Sequence, residues 1–214
     1  MTIFDRPIVR RAGLVLLAAC LSAPAAWAGE ASITIDGGWY ALSNASRTAN
    51  AIFGKSGGPT FGFAGEYGLT ETVFIRAGAR IFQRDGERVF VAEPGGEIFN
   101  LGHPLTVRII PAYGLFGYRF LQGASLRPYI GVGGGVASYK EESTVAGEVI
   151  SFTVTKPMGM GVLGLDFGRG AIRVGGEVGY SLIPKTIGTG GVSAVYGEDD
   201  VGGLTGVVRL SFVH

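Results

Sequence analysis

Four acidic and four basic side chains stand in segments where polar and apolar residues alternate, and ion pairing is the chemistry that they could perform together. The acids are Asp36, Glu66, Asp166 and Glu177, and the bases are Arg76, Arg80, Arg173 and Arg209. Alternate residues of a strand point to the same side, so all eight fall on the polar side of their segments. Buried charges are stable only when they are paired. We therefore expect an ion-pair plug inside the fold.

Residues for other chemistry are scarce. The chain has two histidines, His103 and His214, and one cysteine, Cys20. A lone cysteine excludes a disulfide scaffold, a cysteine-based zinc site and an iron–sulfur cluster. Neither histidine resembles a positioned base. The acidic run 198–200 could supply a pair of catalytic carboxylates, but it is more typical of a solvated loop or a weak cation site. We expect no catalytic residue, no metal and no cofactor.

Strands must position the charged residues, because a period of two dominates the chain from residue 33 onward. The alternating segments are 33–41, 60–69, 73–82, 105–120, 128–137, 162–167, 172–182 and 203–212. The connections near 70–71, 122–124 and 169–170 are short, whereas those at 43–58, 83–104, 141–156 and 184–200 are long. This pattern predicts an all-β fold, an eight-stranded antiparallel up-and-down transmembrane β-barrel with short periplasmic turns and long extracellular loops.

Glycine and aromatic residues favour a barrel whose apolar side faces lipid. Glycine supplies 38 of the 214 residues and is common on the polar side, where it would make room for long side chains in a narrow interior. Aromatic residues near the strand ends predict two interfacial girdles. The predicted girdle residues are Trp39, Phe61, Tyr67, Phe116, Tyr118, Phe120, Phe167, Tyr180 and Phe212. The alternative is a soluble, lipocalin-like barrel with its apolar side inward.

Composition and the N-terminus indicate where the protein resides. The formal net charge of +1 gives no field that would attract nucleic acid. Residues 1–28 combine three arginines, a short apolar run and small residues before Ala28, which predicts a secretory signal peptide cleaved after Ala28. A lipobox-like stretch ending at Cys20 leaves lipidation as an alternative. Residues 29–214 are then a single barrel domain.

Cations in or beside the long connections could meet lipopolysaccharide phosphates. The candidate contacts are Lys55, Arg84, Arg88, Lys140, Lys156 and Lys185. Ordinary solvated charges are the alternative interpretation. The segments 88–91 and 97–99, which flank Pro94, could extend the barrel outward as a hairpin whose edge captures a partner strand.

Several strand motifs resemble those of the small outer-membrane β-barrel superfamily of Gram-negative bacteria, of the OmpA, OmpX and opacity-protein type. They are RPYIGVGGG at 127–135, GYRF at 117–120 and GVLGLDF at 161–167. The last strand, 206–212, is similar to the C-terminal signal read by the barrel-assembly machinery, although the chain ends Phe212-Val213-His214. The resemblance covers essentially all of the chain after residue 28. It implies an outer-membrane barrel with periplasmic termini.

The leading functional expectation is a non-enzymatic surface protein, structural or adhesive, with a mostly closed lumen and loops that contact an unidentified ligand. A monomer is expected. A narrow or gated pore for small solutes is the alternative. A lipid A-modifying enzyme is a weaker alternative, since the sequence shows no Ser–His–acid set. A soluble periplasmic ligand binder is also weaker, since the glycine and aromatic residues favour an apolar side that faces lipid.

Overall fold

The computed structural model describes residues 29–121, 125–145 and 147–214, so the predicted signal peptide, Cys20 and the Ala28 cleavage site lie outside the described residues. Eight strands occur in the described part of the chain and close into a barrel in sequence order. They are β1 (Ala31–Ala41), β2 (Gly57–Gly68), β3 (Val73–Val91), β4 (Ile98–Arg119), β5 (Leu126–Val145), β6 (Glu148–Phe167), β7 (Ile172–Leu182) and β8 (Gly203–Val213). Every neighbouring pair is antiparallel, including β1 with β8. The expected fold class is confirmed.

The two ends of the barrel differ. At the turn end, β2, β4 and β6 end and β3, β5 and β7 begin, and the described chain also begins and ends there. At the loop end, the connections at 42–56 and 183–202 carry short helices, α1 (Ser46–Phe53) and α2 (Gly191–Tyr196), with a 3-10 turn at Ser43–Ala45. No helix among the described residues is long and apolar enough to cross a membrane.

Two of the expected long loops are instead strands. β3 continues to Val91 and β4 begins at Ile98, while β5 continues to Val145 and β6 begins at Glu148. The cause is continued alternation, as in 148–156, where β-branched and aromatic residues favour a pleated hairpin over a loop. β3–β6 therefore project beyond the barrel as a four-stranded sheet, and the expected outward hairpin at 88–99 is part of it.

Apolar side chains point outward and charged ones point inward. Phe61, Phe63, Val132 and Leu163 are among the most exposed residues of the barrel wall, whereas Arg76 and Arg209 are almost fully buried. Near the loop end the interior becomes apolar and is filled by residues such as Phe82 and Ile109. This distribution is the reverse of a lipocalin-like barrel, which would place its apolar side inward.

Candidate functional site: the charged lumen and its cap

Buried arginines and carboxylates form a continuous network across the lumen, from the turn end to the middle of the barrel. Arg76 donates through Nε to Glu66 Oε2 at 2.8 Å and also contacts Glu177. Arg80 donates to Asp36 Oδ1 at 3.1 Å and to Glu177 Oε1 at 2.7 Å. Glu177 thus joins two arginines that lie on β3. The carboxylates supply the acceptors that guanidinium groups require when water is excluded.

Tyr129 and Arg209 extend this network to the other side of the barrel. The Tyr129 hydroxyl donates to Glu177 Oε2 at 2.7 Å and contacts Arg209. Arg209 lies 3.5 Å from Asp166 Oδ1 and 3.8 Å from Glu66 Oε2. Arg76 and Arg209 also lie over the Tyr129 ring, with guanidinium carbons 5.1 and 5.3 Å from its centroid. The aromatic ring therefore faces two cations inside the network.

Seven of the eight predicted plug residues belong to this one network, and Arg173 does not. Arg173 pairs with Glu30, which precedes β1, at the turn end. Arg173 is buried and ion-paired, but its partner is none of the four strand acids. A nearer carboxylate is available because the chain before β1 lies against β8 and β2 through bonds at residues 30 and 31. A hydrogen bond from Arg173 holds the pKa of Glu30 below its ordinary value, although partial burial opposes the shift.

Sequence reasoning missed Arg119, which contacts Glu66 and is buried. The parity of β4 was the missing information. The structure points Tyr113, Leu115 and Arg119 inward, and the outward positions between them carry Phe116 and Tyr118. Two exposed aromatic residues at alternate positions could have identified the lipid side of this strand and hence the inward arginine.

Glycines on the lumen side make space for the large side chains of the network. A Cβ at Gly164 would collide with the Tyr129 ring, one at Gly117 with the Phe74 ring, and one at Gly62 with Arg80 and Asp36. The lumen is too narrow for a side chain at each inward position. Glycine at these positions therefore leaves room for the arginines and aromatic rings that cross the lumen.

The loop connections cover the mouth of the barrel as a cap that contains α1 and α2. Glu198, which follows α2, accepts the backbone N–H groups of Arg47 at 3.1 Å and Thr48 at 2.8 Å, in the first turn of α1. The Arg47 side chain lies 3.3 Å from the same carboxylate. Tyr40, inside the barrel, donates to the Val201 carbonyl at 2.7 Å and ties the cap to the wall. The cap is thus bonded to itself and to the barrel.

Opposing effects set the pKa of Glu198. Burial raises this pKa, but hydrogen bonds from Thr48 and Arg47 outweigh burial and hold it below the ordinary value of 4.5. Glu198 is therefore ionised at neutral pH, and its negative charge lies at the α1 N-terminus, where the helix dipole favours an anion.

Little open space is left between the cap and the network. A cavity of about 30 Å³ lies there, lined by residues that include Arg80, Phe82 and Tyr113. A space of this size accommodates roughly one or two water molecules.

In the described residues, no group of three His, Cys, Asp or Glu side chains is arranged to hold a metal ion. His103 lies on β4 toward the loop end and His214 at the turn end, so they share no site.

The predicted girdle residues lie on the outer wall. Trp39, Phe61, Phe116, Tyr118, Phe120, Phe167, Tyr180 and Phe212 are exposed, and Tyr67 is half-buried. Trp39, Phe61 and Tyr180 are on the loop side of the belt, and the others are near the turns. Their role at a membrane interface stays a prediction.

The six predicted lipopolysaccharide contacts do not form one cluster. Lys55 and Lys185 are exposed in the cap connections, whereas Arg84, Arg88, Lys140 and Lys156 lie on strands. Arg84 donates to the Gly57 carbonyl at 2.8 Å, and Lys140 lies 2.8 Å from Glu142. Arg84 therefore ties β3 to the start of β2, and this contact gives it a structural role.

Solved structures with the same architecture are found despite low sequence identity. A major outer membrane protein from Thermus thermophilus is 10% identical, with a TM-score of 0.57 over 87% of this chain and 100% of that one. Ail, the attachment invasion locus protein of Yersinia pestis, is 14% identical, with a TM-score of 0.50 over 87% and 99% of the two chains. No family model matches the sequence, and no curated protein matches it. The chain therefore has the fold of the small eight-stranded outer-membrane β-barrels, as its strand motifs imply.

Proposed function

We propose that this protein is a non-enzymatic outer-membrane β-barrel with a closed lumen, whose projecting β3–β6 sheet is its surface for interactions. The inverted distribution of side chains is the observation that carries this proposal. An apolar outer wall is stable in lipid, where a closed barrel leaves no backbone group unpaired. In this orientation the turn end faces the periplasm and the loop end faces the exterior.

The proposed partners follow from this placement. The outer wall contacts membrane lipid, and Lys55 and Lys185, the two exposed members of the predicted set, are available to lipopolysaccharide phosphates at the loop end. The C-terminal strand β8 would carry the signal for the barrel-assembly machinery. An adhesive or structural role is supported by the length of the projecting sheet, since binding surfaces are commonly held out on a rigid scaffold.

Cell fractionation with gel electrophoresis tests the location and the fold. We expect the protein in the outer-membrane fraction, with a mobility that changes when the sample is boiled in SDS, because a closed barrel has no edge from which unfolding can start. A soluble periplasmic protein with a single mobility would contradict the proposal.

Planar-bilayer recording tests the closed lumen. The wild-type protein should give no discrete conductance, because buried ion pairs and the cap both obstruct the path. Arg80→Ala enlarges the cavity beneath the cap and is the variant that favours a pore most. Discrete steps in the wild type, increased by Arg80→Ala, would support the alternative function of a narrow solute pore.

A further inference from the structure

The upper half of β6 is an open sheet edge. Pairing of β6 with β7 begins at Gly159 and Leu182, so residues 148–158 pair only with β5 among the described parts of the chain. The upper part of β3, residues 83–91, likewise pairs only with β4 within the described chain, but there α1 packs against the strand near Gly86 and the Arg84 side chain donates to the Gly57 carbonyl. An unpaired edge offers a row of backbone donors and acceptors to another strand.

The residues of this edge favour pairing and do little to prevent it. Segment 148–156, which we call the β6 edge, reads EVISFTVTK and contains no glycine or proline. Ile150 and Phe152 are 51% and 50% exposed and lie on the same side of the strand. Glu148 and Lys156 bound the segment on that side and give it no net charge. Such a segment lacks the central charge that usually protects an edge.

The β6 edge is complementary to a second copy of itself. In an antiparallel pair centred on Phe152, Glu148 of each copy lies opposite Lys156 of the other, and Ile150 lies opposite Val154. Opposite charges and apolar residues placed directly across an antiparallel pair are both stabilising. A shift of the register by two residues would separate the charges, so these residues select one arrangement.

We infer that the β6 edge binds the β6 edge of a second copy of this chain. The pair is isologous, with a two-fold axis at Phe152. β6 runs from the loop end to the turn end, so antiparallel pairing makes the two barrels point in opposite directions. Given the proposed outer-membrane location, on which this inference rests, the pair joins copies in two facing membranes. Each copy stays a monomer within its own membrane.

Vesicle clustering tests this inference with charge-exchanged variants. The protein is reconstituted into phosphatidylcholine–phosphatidylglycerol vesicles, and clustering is followed by light scattering and by energy transfer between two labelled populations. Wild-type vesicles should cluster and protein-free vesicles should not. Glu148→Lys places two lysines opposite each other at both ends of the pair, and Lys156→Glu places two glutamates there. Each variant alone should lose clustering.

Mixing the two variants gives the decisive result. When a Glu148→Lys copy faces a Lys156→Glu copy, the introduced lysine lies opposite the introduced glutamate at one end of the strand pair. At the other end, the unchanged Lys156 of the first copy lies opposite the unchanged Glu148 of the second, so both charge pairs are attractive. The mixed vesicles should therefore cluster again, as should the double variant alone. Clustering that survives in both single variants, or fails to return in the mixture, would overturn the inference.

A boiling-dependent mobility on the gel verifies insertion of every variant. Failure of insertion would refute the proposed function, whereas insertion without clustering refutes only the pairing.

Discussion

Glu177 is the side chain on which the lumen network converges. It contacts Arg76, lies 2.7 Å from Arg80 Nη2 and accepts the Tyr129 hydroxyl at 2.7 Å, with Arg209 3.7 Å away. Its side chain is almost completely buried. One carboxylate therefore compensates cations from β3 and β8, and its removal would leave buried arginines without their shared acceptor.

Glu177→Gln should destabilise the barrel strongly. Breaking a buried ion pair by removing one partner costs about 3–5 kcal/mol, because the remaining charge stays buried. Urea unfolding in lipid vesicles, followed by tryptophan fluorescence, would measure this loss in the free energy of unfolding. Glu71→Gln makes the same chemical change in an exposed turn and should alter that free energy by less than about 0.5 kcal/mol. Equal losses in the two variants would contradict a central role for Glu177.

Residue identities predicted which charges lie in the lumen better than they predicted the partner of each charge. Alternation places Asp36, Glu66 and Glu177 on the polar side of their strands, and the glycine and aromatic patterns make that side the inward one. The partners depend on register between strands and on residues outside them, such as Glu30, which takes Arg173. A period of two specifies neither the register between strands nor the position of residues outside them. The ion pairs across the barrel therefore could not be predicted from the sequence.

The cap is the element that the sequence described least well. Segments 43–58 and 184–200 were predicted only as long loops, yet Glu198 joins them by accepting two backbone N–H groups of α1. Helices this short gain most of their stability from tertiary contacts, and so their own sequences give weak signals. The β5–β6 hairpin was also expected to be a loop, although its alternation is visible in the sequence.

Acid should loosen the cap through Glu198. A carboxylate whose pKa is lowered by folding stabilises the folded form at neutral pH, and this stabilisation is lost as the pH falls through that lowered pKa. Nuclear magnetic resonance of the detergent-solubilised protein should therefore show the Arg47 and Thr48 amides titrating with a midpoint below 4.5, the ordinary value for glutamate. Glu198→Gln should abolish this titration. A midpoint above 4.5 would contradict the hydrogen bonding described for the cap.

At the scale of the whole molecule, the barrel is stable only if its surroundings match its two surfaces. The outer wall carries exposed side chains such as Phe63, Val132 and Leu163 around the barrel, and the charges are gathered inside. Immediately above this belt, the outward positions of the projecting sheet are occupied by polar residues such as Gln83, Arg108 and Thr153. The change along a single strand marks where lipid should end and the aqueous exterior should begin.

The position of this boundary predicts that the free-energy cost of a charged outward side chain depends on its depth in the membrane. Leu163 is outward-facing and 62% exposed in the middle of the belt, while Thr153 points outward on the same strand beyond it. An arginine near the bilayer midplane costs about 2–4 kcal/mol, and this penalty falls to nearly zero at the interface. Leu163→Arg should therefore lower the unfolding free energy in vesicles by that amount, and Thr153→Arg should leave it almost unchanged. If the outer wall faced water, arginine would be tolerated at both positions, and equal stabilities of the two variants would show that the apolar belt is not a membrane surface.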